Sequence, residues 1–346
     1  MLLSEKNPHG GDIYTHKGLL DFSANINPYG IPEAVKNAAA GAVFDCTAYP
    51  DPYCRALRKG ISEQEGIPEG WILCGNGAAD LIYSFVYSLP KSRPVLIVSP
   101  TFSEYQTALS VAGVQVEHFM LEEKNGFILD DSITKLDFSR YSALFICTPN
   151  NPAGITVKPE LLVKLAETGV RLFCDMCFMD MTVSPQIYNA PDLLKKYPNL
   201  VILKAFTKSF AIPGLRLGYA LCSDGEFMAL MAEKVPCWNV SVPAQKAGCA
   251  ALGCREWLEN TVKSITAERN RMAVALKSMG IKVFPGEANF LLLFSATDLY
   301  SRLMEKGILV RDCSNYKGLG KGFIRIAVRK PEENDRILSA IREVLK

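Results

Sequence analysis

The sequence predicts an α/β architecture, a mostly parallel sheet covered by helices on both faces and followed by a smaller α+β part. Three observations carry that expectation. Short and nearly continuous apolar runs recur through the middle of the chain, as in strands buried on both faces. Amphipathic helical stretches separate these runs, the alternation that parallel strands need for their crossovers. From Pro243 onward the pattern changes to a long helical region, isolated strand-like segments and a last helix.

An extended segment at 19–23 is expected to join the C-terminal part in space. Strands are expected at residues 71–74, 94–98, 143–147, 170–174, 200–204 and 218–221, where apolar and β-branched residues cluster. Helices are expected at 79–89 and 158–167, where apolar positions recur at helical spacing. Beyond Pro243 come a helical region to about Met279, strands at 281–284 and 289–294, a helix at 298–306, a strand at 323–328 and a final helix. The expected division is a large domain at 46–242 and a small domain made of 1–45 plus 243–346.

A chain of 346 residues with 49% apolar residues can fill two cores. Its 38 Lys and Arg against 36 Asp and Glu leave a net charge of +2 with no like-charge block, so neither nucleic acid nor a membrane surface is an expected partner. A small-molecule substrate is. The N-terminus lacks a charged stretch leading into an apolar one, and no run of about 18 apolar residues occurs, so a cytoplasmic protein is expected. The eleven Cys are dispersed and several sit in apolar runs, which fits a reducing compartment. Cys174 and Cys177 have the gap of a zinc or redox pair, but no second such pair accompanies them and no metal site is expected.

The chemistry concentrates in the loops that follow the strands, where ligands of such sheets gather. The stretch from Ala205 to Gly218 places Lys208 among small and aromatic neighbours and Arg216 eight residues later. That spacing fits a pyridoxal phosphate (PLP) site: a desolvated lysine amine attacks an aldehyde, and a fixed guanidinium grips a phosphate. A surface Lys and Arg around a Gly-Pro turn is the alternative. Gly75 to Asp80 forms a Gly-rich strand-to-helix turn whose N–H groups could cradle an anion, or simply turn the chain. Asp175 ends an apolar strand, where a carboxylate needs a partner such as a pyridinium nitrogen, or caps the next turn. Asn151 offers an amide to a ring oxygen or serves an Asn-Pro turn, and Phe102 offers a face to stack on a ring or a core side chain. Arg325 and Arg311 are charges flanked by apolar residues, each wanting an anion, either substrate or an internal acid such as Asp312.

Taken in order, these motifs resemble fold-type I PLP enzymes of the aspartate aminotransferase superfamily from His9 to Arg329. The segments His9-Gly10-Gly11, Asp21 to Pro28, Ala211 to Tyr219, Arg311 to Tyr316 and Arg325 to Arg329 are most similar to threonine-phosphate decarboxylases of cobalamin biosynthesis, with histidinol-phosphate aminotransferases next. The resemblance implies a three-layer PLP-dependent transferase fold with Lys208 as the Schiff-base lysine. It makes Asp175 the ring-nitrogen partner, Asn151 the ring-oxygen donor and Phe102 the stacking ring. Gly77, Ala78, Ala79, Thr207 and Arg216 would hold the cofactor phosphate, helped by Tyr49 from a neighbouring subunit, which implies a homodimer. Arg325 would hold the substrate carboxylate, and His9, Asn25 and Arg311 the phosphate of a small phosphorylated amino acid. The implied reaction is decarboxylation of O-phospho-L-threonine to 1-amino-2-propanol phosphate, or alternatively amino transfer with 2-oxoglutarate. Three positions depart from the pattern: Ala205 where the superfamily usually has Ser, Met176 where it has an acid, and Phe178 where aminotransferases have Tyr.

Overall fold

A computed structural model describes residues 9–346. Its centre is a seven-stranded sheet whose strands lie side by side in the order Ile72–Asn76, Leu217–Leu221, Leu200–Ala205, Arg171–Asp175, Ala143–Cys147, Val95–Ser99 and Val116–Met120. Pairing is parallel from Leu200–Ala205 through Val116–Met120, whereas Leu217–Leu221 runs antiparallel to both of its neighbours. This arrangement places the carboxyl ends of six strands and the start of Leu217–Leu221 on one edge. The residues that follow Asn76, Ser99, Cys147, Asp175 and Ala205, together with Arg216, therefore converge there, as the apolar strand runs predict.

Both faces of the sheet are covered. On one face Phe85, Tyr105, Phe145 and Phe173 interlock at centroid distances of 4.5 to 6.4 Å. The other face packs Leu57, Ile61, Leu144, Leu162, Leu172 and Ile202. Rings offset or edge-on at these distances add specific attraction to the area they bury.

The C-terminal part is a four-stranded antiparallel sheet in the order Arg311–Asp312, Phe323–Ala327, Phe290–Phe294 and Lys282–Val283, with a core that includes Leu291, Ile326, Ile337 and Ile341. Leu20–Asp21 pairs in parallel with Ile308–Leu309, so the extended N-terminal segment joins this part as expected. The helical region after Pro243 is not continuous. It divides into Val242–Leu252, capped by the Ser241 hydroxyl, and Arg255–Ser278. The break falls at Gly253-Cys254, where glycine's backbone freedom makes continuation unfavourable. Among the described residues no helix is long and apolar enough to cross a membrane.

Candidate active site

The turn after Ile72–Asn76 builds an anion cradle. Gly77 has φ +81°, and the helix Ala78–Tyr87 begins directly after it with no side chain capping its first N–H groups. Arg216, itself at φ +58°, lies against Gly77 so closely that a Cβ there would sit 2.6 Å from Arg216 Nη2. Gly218 on the neighbouring strand has the same role, since its Cβ would meet the Ala78 nitrogen at 2.8 Å. Uncapped N–H groups, the positive helix end and a guanidinium are groups suited to a phosphate. Gly77→Ala combines a positive-φ penalty of roughly 1–2 kcal/mol with displacement of Arg216. It is expected to weaken PLP binding about tenfold, read by fluorescence titration of the apoprotein.

Lys208 lies in the one-turn helix Phe206–Ser209 that follows Leu200–Ala205. Its amine is driven down to about 8, first by burial and next by the Arg325 guanidinium, with Arg216 adding to it. A lysine with this value is about half neutral at pH 8 and about a tenth neutral at pH 7, a far larger nucleophilic fraction than an ordinary lysine has. Competitive labelling of the apoprotein with 1-fluoro-2,4-dinitrobenzene is expected to titrate Lys208 with a midpoint near 8, against 10.5 for ordinary lysine. The backbone around it is fixed: Asn27 N–H donates to the Lys208 carbonyl at 3.0 Å, and the Asn27 amide donates to the Ser209 carbonyl at 3.0 Å.

Asp175 is 5% exposed at the end of its strand, and burial raises its carboxyl above the usual range. The turn-capping reading of this residue is realised. One oxygen accepts from Cys177 N–H at 2.9 Å, capping the turn, and the other accepts from the Tyr105 hydroxyl at 2.5 Å. Phe102 stands beside Tyr105 at 5.7 Å and beside His9 at 5.7 Å, and His9 Nε2 meets Glu104 Oε1 at 2.8 Å.

Asn151 is oriented by Arg325 and Tyr316. Its carbonyl oxygen accepts from Arg325 Nη1 and, at 3.3 Å, from the Tyr316 hydroxyl, so its NH2 remains as the donor. Arg325 is 6% exposed and donates through Nη2 to the Ser23 carbonyl at 2.8 Å, while its Nε is buried without an acceptor. Among the described residues no carboxylate lies within ion-pair distance of Arg325, so the internal-acid alternative is not realised there. Arg311 sits directly across the antiparallel pair from Arg325. It donates to the Asp312 carbonyl rather than to its carboxylate, and to Asn315 Oδ1 at 2.9 Å. Asn25 is buried with both side-chain polar atoms unpartnered.

Thr207 is buried beside Lys208, whereas Tyr49 is 78% exposed and stacks on Trp238 at 4.4 Å, away from these groups within the single chain. Ala205, Met176 and Phe178 are all buried. Sequence reasoning did not single out Tyr105, Tyr316 or the buried group behind the lysine helix. In that group Lys204 Nζ pairs with Glu65 at 2.7 Å and Asp180 at 3.2 Å, and the Tyr219 hydroxyl donates to Glu65 at 2.6 Å. A lysine inside the run Leu203-Lys204-Ala205 was the available signal, because a charge there requires a counter-ion.

These residues fit PLP: an uncapped helix start beside a guanidinium, a depressed lysine, a buried carboxylate at a strand end, and buried donors on Arg325 and Asn25 without acceptors. The sequence matches the family Aminotransferase class I and II over residues 17–341. It is 36% identical to the threonine-phosphate decarboxylase of Salmonella typhimurium, over 97% of this chain and 96% of that one. The fold superposes on the histidinol-phosphate aminotransferase of Clostridium acetobutylicum with a TM-score of 0.88 at 30% identity, covering 94% and 99% of the two chains. On the histidinol-phosphate aminotransferase of Sinorhizobium meliloti, solved with pyridoxal-5'-phosphate, the TM-score is 0.81 at 20% identity, covering 93% and 89%. The chain belongs to the class I and II aminotransferase family and is a PLP-dependent enzyme of fold type I.

Proposed function

We propose that the protein decarboxylates O-phospho-L-threonine, releasing carbon dioxide and 1-amino-2-propanol phosphate, the chemistry that cobalamin assembly requires. The observation that carries this reading is the pair Arg311 and Arg325, both buried and directly opposite each other on neighbouring strands. Like charges so placed repel, and an anionic ligand compensates them. A substrate with a carboxylate and a phosphate supplies two anions. The 36% identity with the Salmonella decarboxylase supports the choice of substrate.

In this reading Arg325 holds the carboxylate through its planar fork, and Arg311, Asn25 and His9 receive the phosphate. Gly77, Ala78, Ala79, Thr207 and Arg216 hold the cofactor phosphate, Phe102 covers the ring, Asn151 donates to the ring oxygen and Asp175 keeps the ring nitrogen protonated. Bound PLP supplies the electron sink that accepts the pair left when carbon dioxide departs. Lys208, half neutral near pH 8, would covalently hold the cofactor between turnovers and then carry the proton that replaces the carboxylate at the α-carbon. The exposed Tyr49, in a stretch that also exposes Phe44 and Tyr53, supports a homodimer in which Tyr49 reaches the partner's cofactor phosphate. Residues 46–242 would form the large domain of each protomer, and 1–45 with 243–346 the small one.

Incubating the PLP-loaded protein with O-phospho-L-threonine and no oxo acid tests the proposal, and release of carbon dioxide with the phosphorylated amino alcohol is the expected result. The TM-score of 0.88 with the Clostridium enzyme favours a second reading, a histidinol-phosphate aminotransferase. No carbon dioxide, with amino transfer once histidinol phosphate and 2-oxoglutarate are present, would overturn the first reading in favour of the second.

A further inference from the structure

We propose that Tyr105 is a positioning residue for the cofactor's ring nitrogen: its hydroxyl holds Asp175 in the ionised, correctly turned state that keeps that nitrogen protonated. The inference rests on the placement of Asp175 at the ring nitrogen and is independent of which reaction follows.

The geometry is closed on three sides. Tyr105 is fully buried, in the first turn of the helix Glu104–Val111. Its ring is clamped between Phe102, Phe145 and Phe173 at 5.7, 5.3 and 6.4 Å. Its hydroxyl donates to Asp175 Oδ2 at 2.5 Å, and the other carboxylate oxygen is taken by Cys177 N–H at 2.9 Å. Each oxygen of Asp175 thus has one protein donor, which fixes the carboxylate plane and leaves lone pairs for a ligand.

The energetics require such a donor. Burial raises the carboxyl of Asp175, and the two donors oppose that rise by stabilising the charge. Tyr105 is itself pushed well above the ordinary tyrosine value by burial and by Asp175, so it stays protonated and keeps a proton to donate to the carboxylate. Removing the donation makes Asp175 the stronger base. A proton shared between Asp175 and the ring nitrogen then moves toward the carboxylate, and the ring loses the positive charge that makes it an electron sink. The preceding residue Glu104 holds His9, so the first turn of this one helix fixes groups on two sides of the site.

The test is the 15N signal of enzyme loaded with ring-labelled PLP, in wild type, Tyr105→Phe and Tyr105→3-fluorotyrosine. Phe keeps the clamped ring and loses only the hydroxyl, and fluorotyrosine strengthens the donor without changing its place. The expected result is a protonated ring nitrogen in wild type, a shift toward unprotonated pyridine in Tyr105→Phe and a small shift the other way in the fluorinated protein. In parallel, kcat falls about tenfold in Tyr105→Phe with KM little changed, the pattern of a group acting on the chemical step. An unprotonated nitrogen in wild type would sink the placement of Asp175. A protonated wild type with an unchanged signal in both variants would leave that placement standing and overturn the role of Tyr105, whatever happens to thermal stability.

Discussion

Lys208→Ala is expected to abolish turnover, with a fall of about 10^5-fold or more, the scale on which deletion of a catalytic nucleophile acts. Single-turnover assays with purified, PLP-loaded protein measure it. The variant keeps the phosphate cradle of Gly77, Ala78 and Arg216, so PLP still binds, but it is no longer attached covalently and borohydride fails to fix it to the chain. Lys208→Arg is expected to be equally inactive, because a guanidinium remains protonated and is a poor nucleophile. The same substitution separates catalysis from stability. Burial, and after it the Arg325 and Arg216 guanidiniums, depress Lys208 to about 8 from 10.5. Between these two values the unfolded chain binds the proton and the folded chain does not, so wild-type stability rises with pH across that window. Below about 8 the folded protein carries the full cost of a third cation in the site. Apo Lys208→Ala is therefore expected to melt higher than apo wild type at pH 7, and the gap is expected to close as pH rises from about 8 toward 10.5. A gap that did not depend on pH would show that packing, not charge, sets the difference.

The site was legible in the sequence wherever a residue broke the rule of its own segment. Asp175 ends the run Leu172-Phe173-Cys174, Arg325 interrupts Phe323 to Val328, and Lys208 and Arg216 bracket a turn directly after an apolar strand. Each is costly unless something compensates it, and the structure brings Asp175, Lys208, Arg216 and Arg325 to one edge. What escaped was chemistry disguised as packing. Tyr105 reads as a core aromatic on an amphipathic helix, and only its hydroxyl, 70 residues from Asp175 in sequence, makes it more than that. The pairing of Lys204 with Glu65 spans 139 residues, and that of Arg325 with Asn151 spans 174. Neither span leaves a local pattern. The break between Val242–Leu252 and Arg255–Ser278 was missed because both halves keep helical periodicity and only Gly253 marks the interruption.

Asp175→Asn is expected to lower kcat about 10^3-fold while leaving PLP content near wild type. The amide keeps the size of the carboxylate, and its oxygen can still accept from Cys177 N–H. Its NH2 then faces Tyr105, which turns from donor to acceptor, and no negative charge remains to hold a proton on the ring nitrogen. The electron sink weakens at the step where charge develops, which is where electrostatic losses are greatest. Loaded enzyme in a single-turnover assay gives the rate, and the 15N signal of bound, ring-labelled PLP gives the cause by moving to unprotonated pyridine. The stability effect has the opposite sign. The folded-state value of Asp175 is raised from 3.8, so between 3.8 and that higher value the folded chain holds a proton that the unfolded chain has lost. Wild-type stability therefore falls as pH rises through this window, and the whole cost of the buried charge is present above it. Apo Asp175→Asn is expected to be more stable than apo wild type at neutral pH and level with it below 3.8. A variant less stable than wild type at every pH would mean that Asp175 serves mainly as the cap of the Cys177 turn. Lys208 and Asp175 thus share one physical character: each is a charge that burial makes costly on its own strand or helix, and in the proposed function the cofactor is the ligand that relieves both.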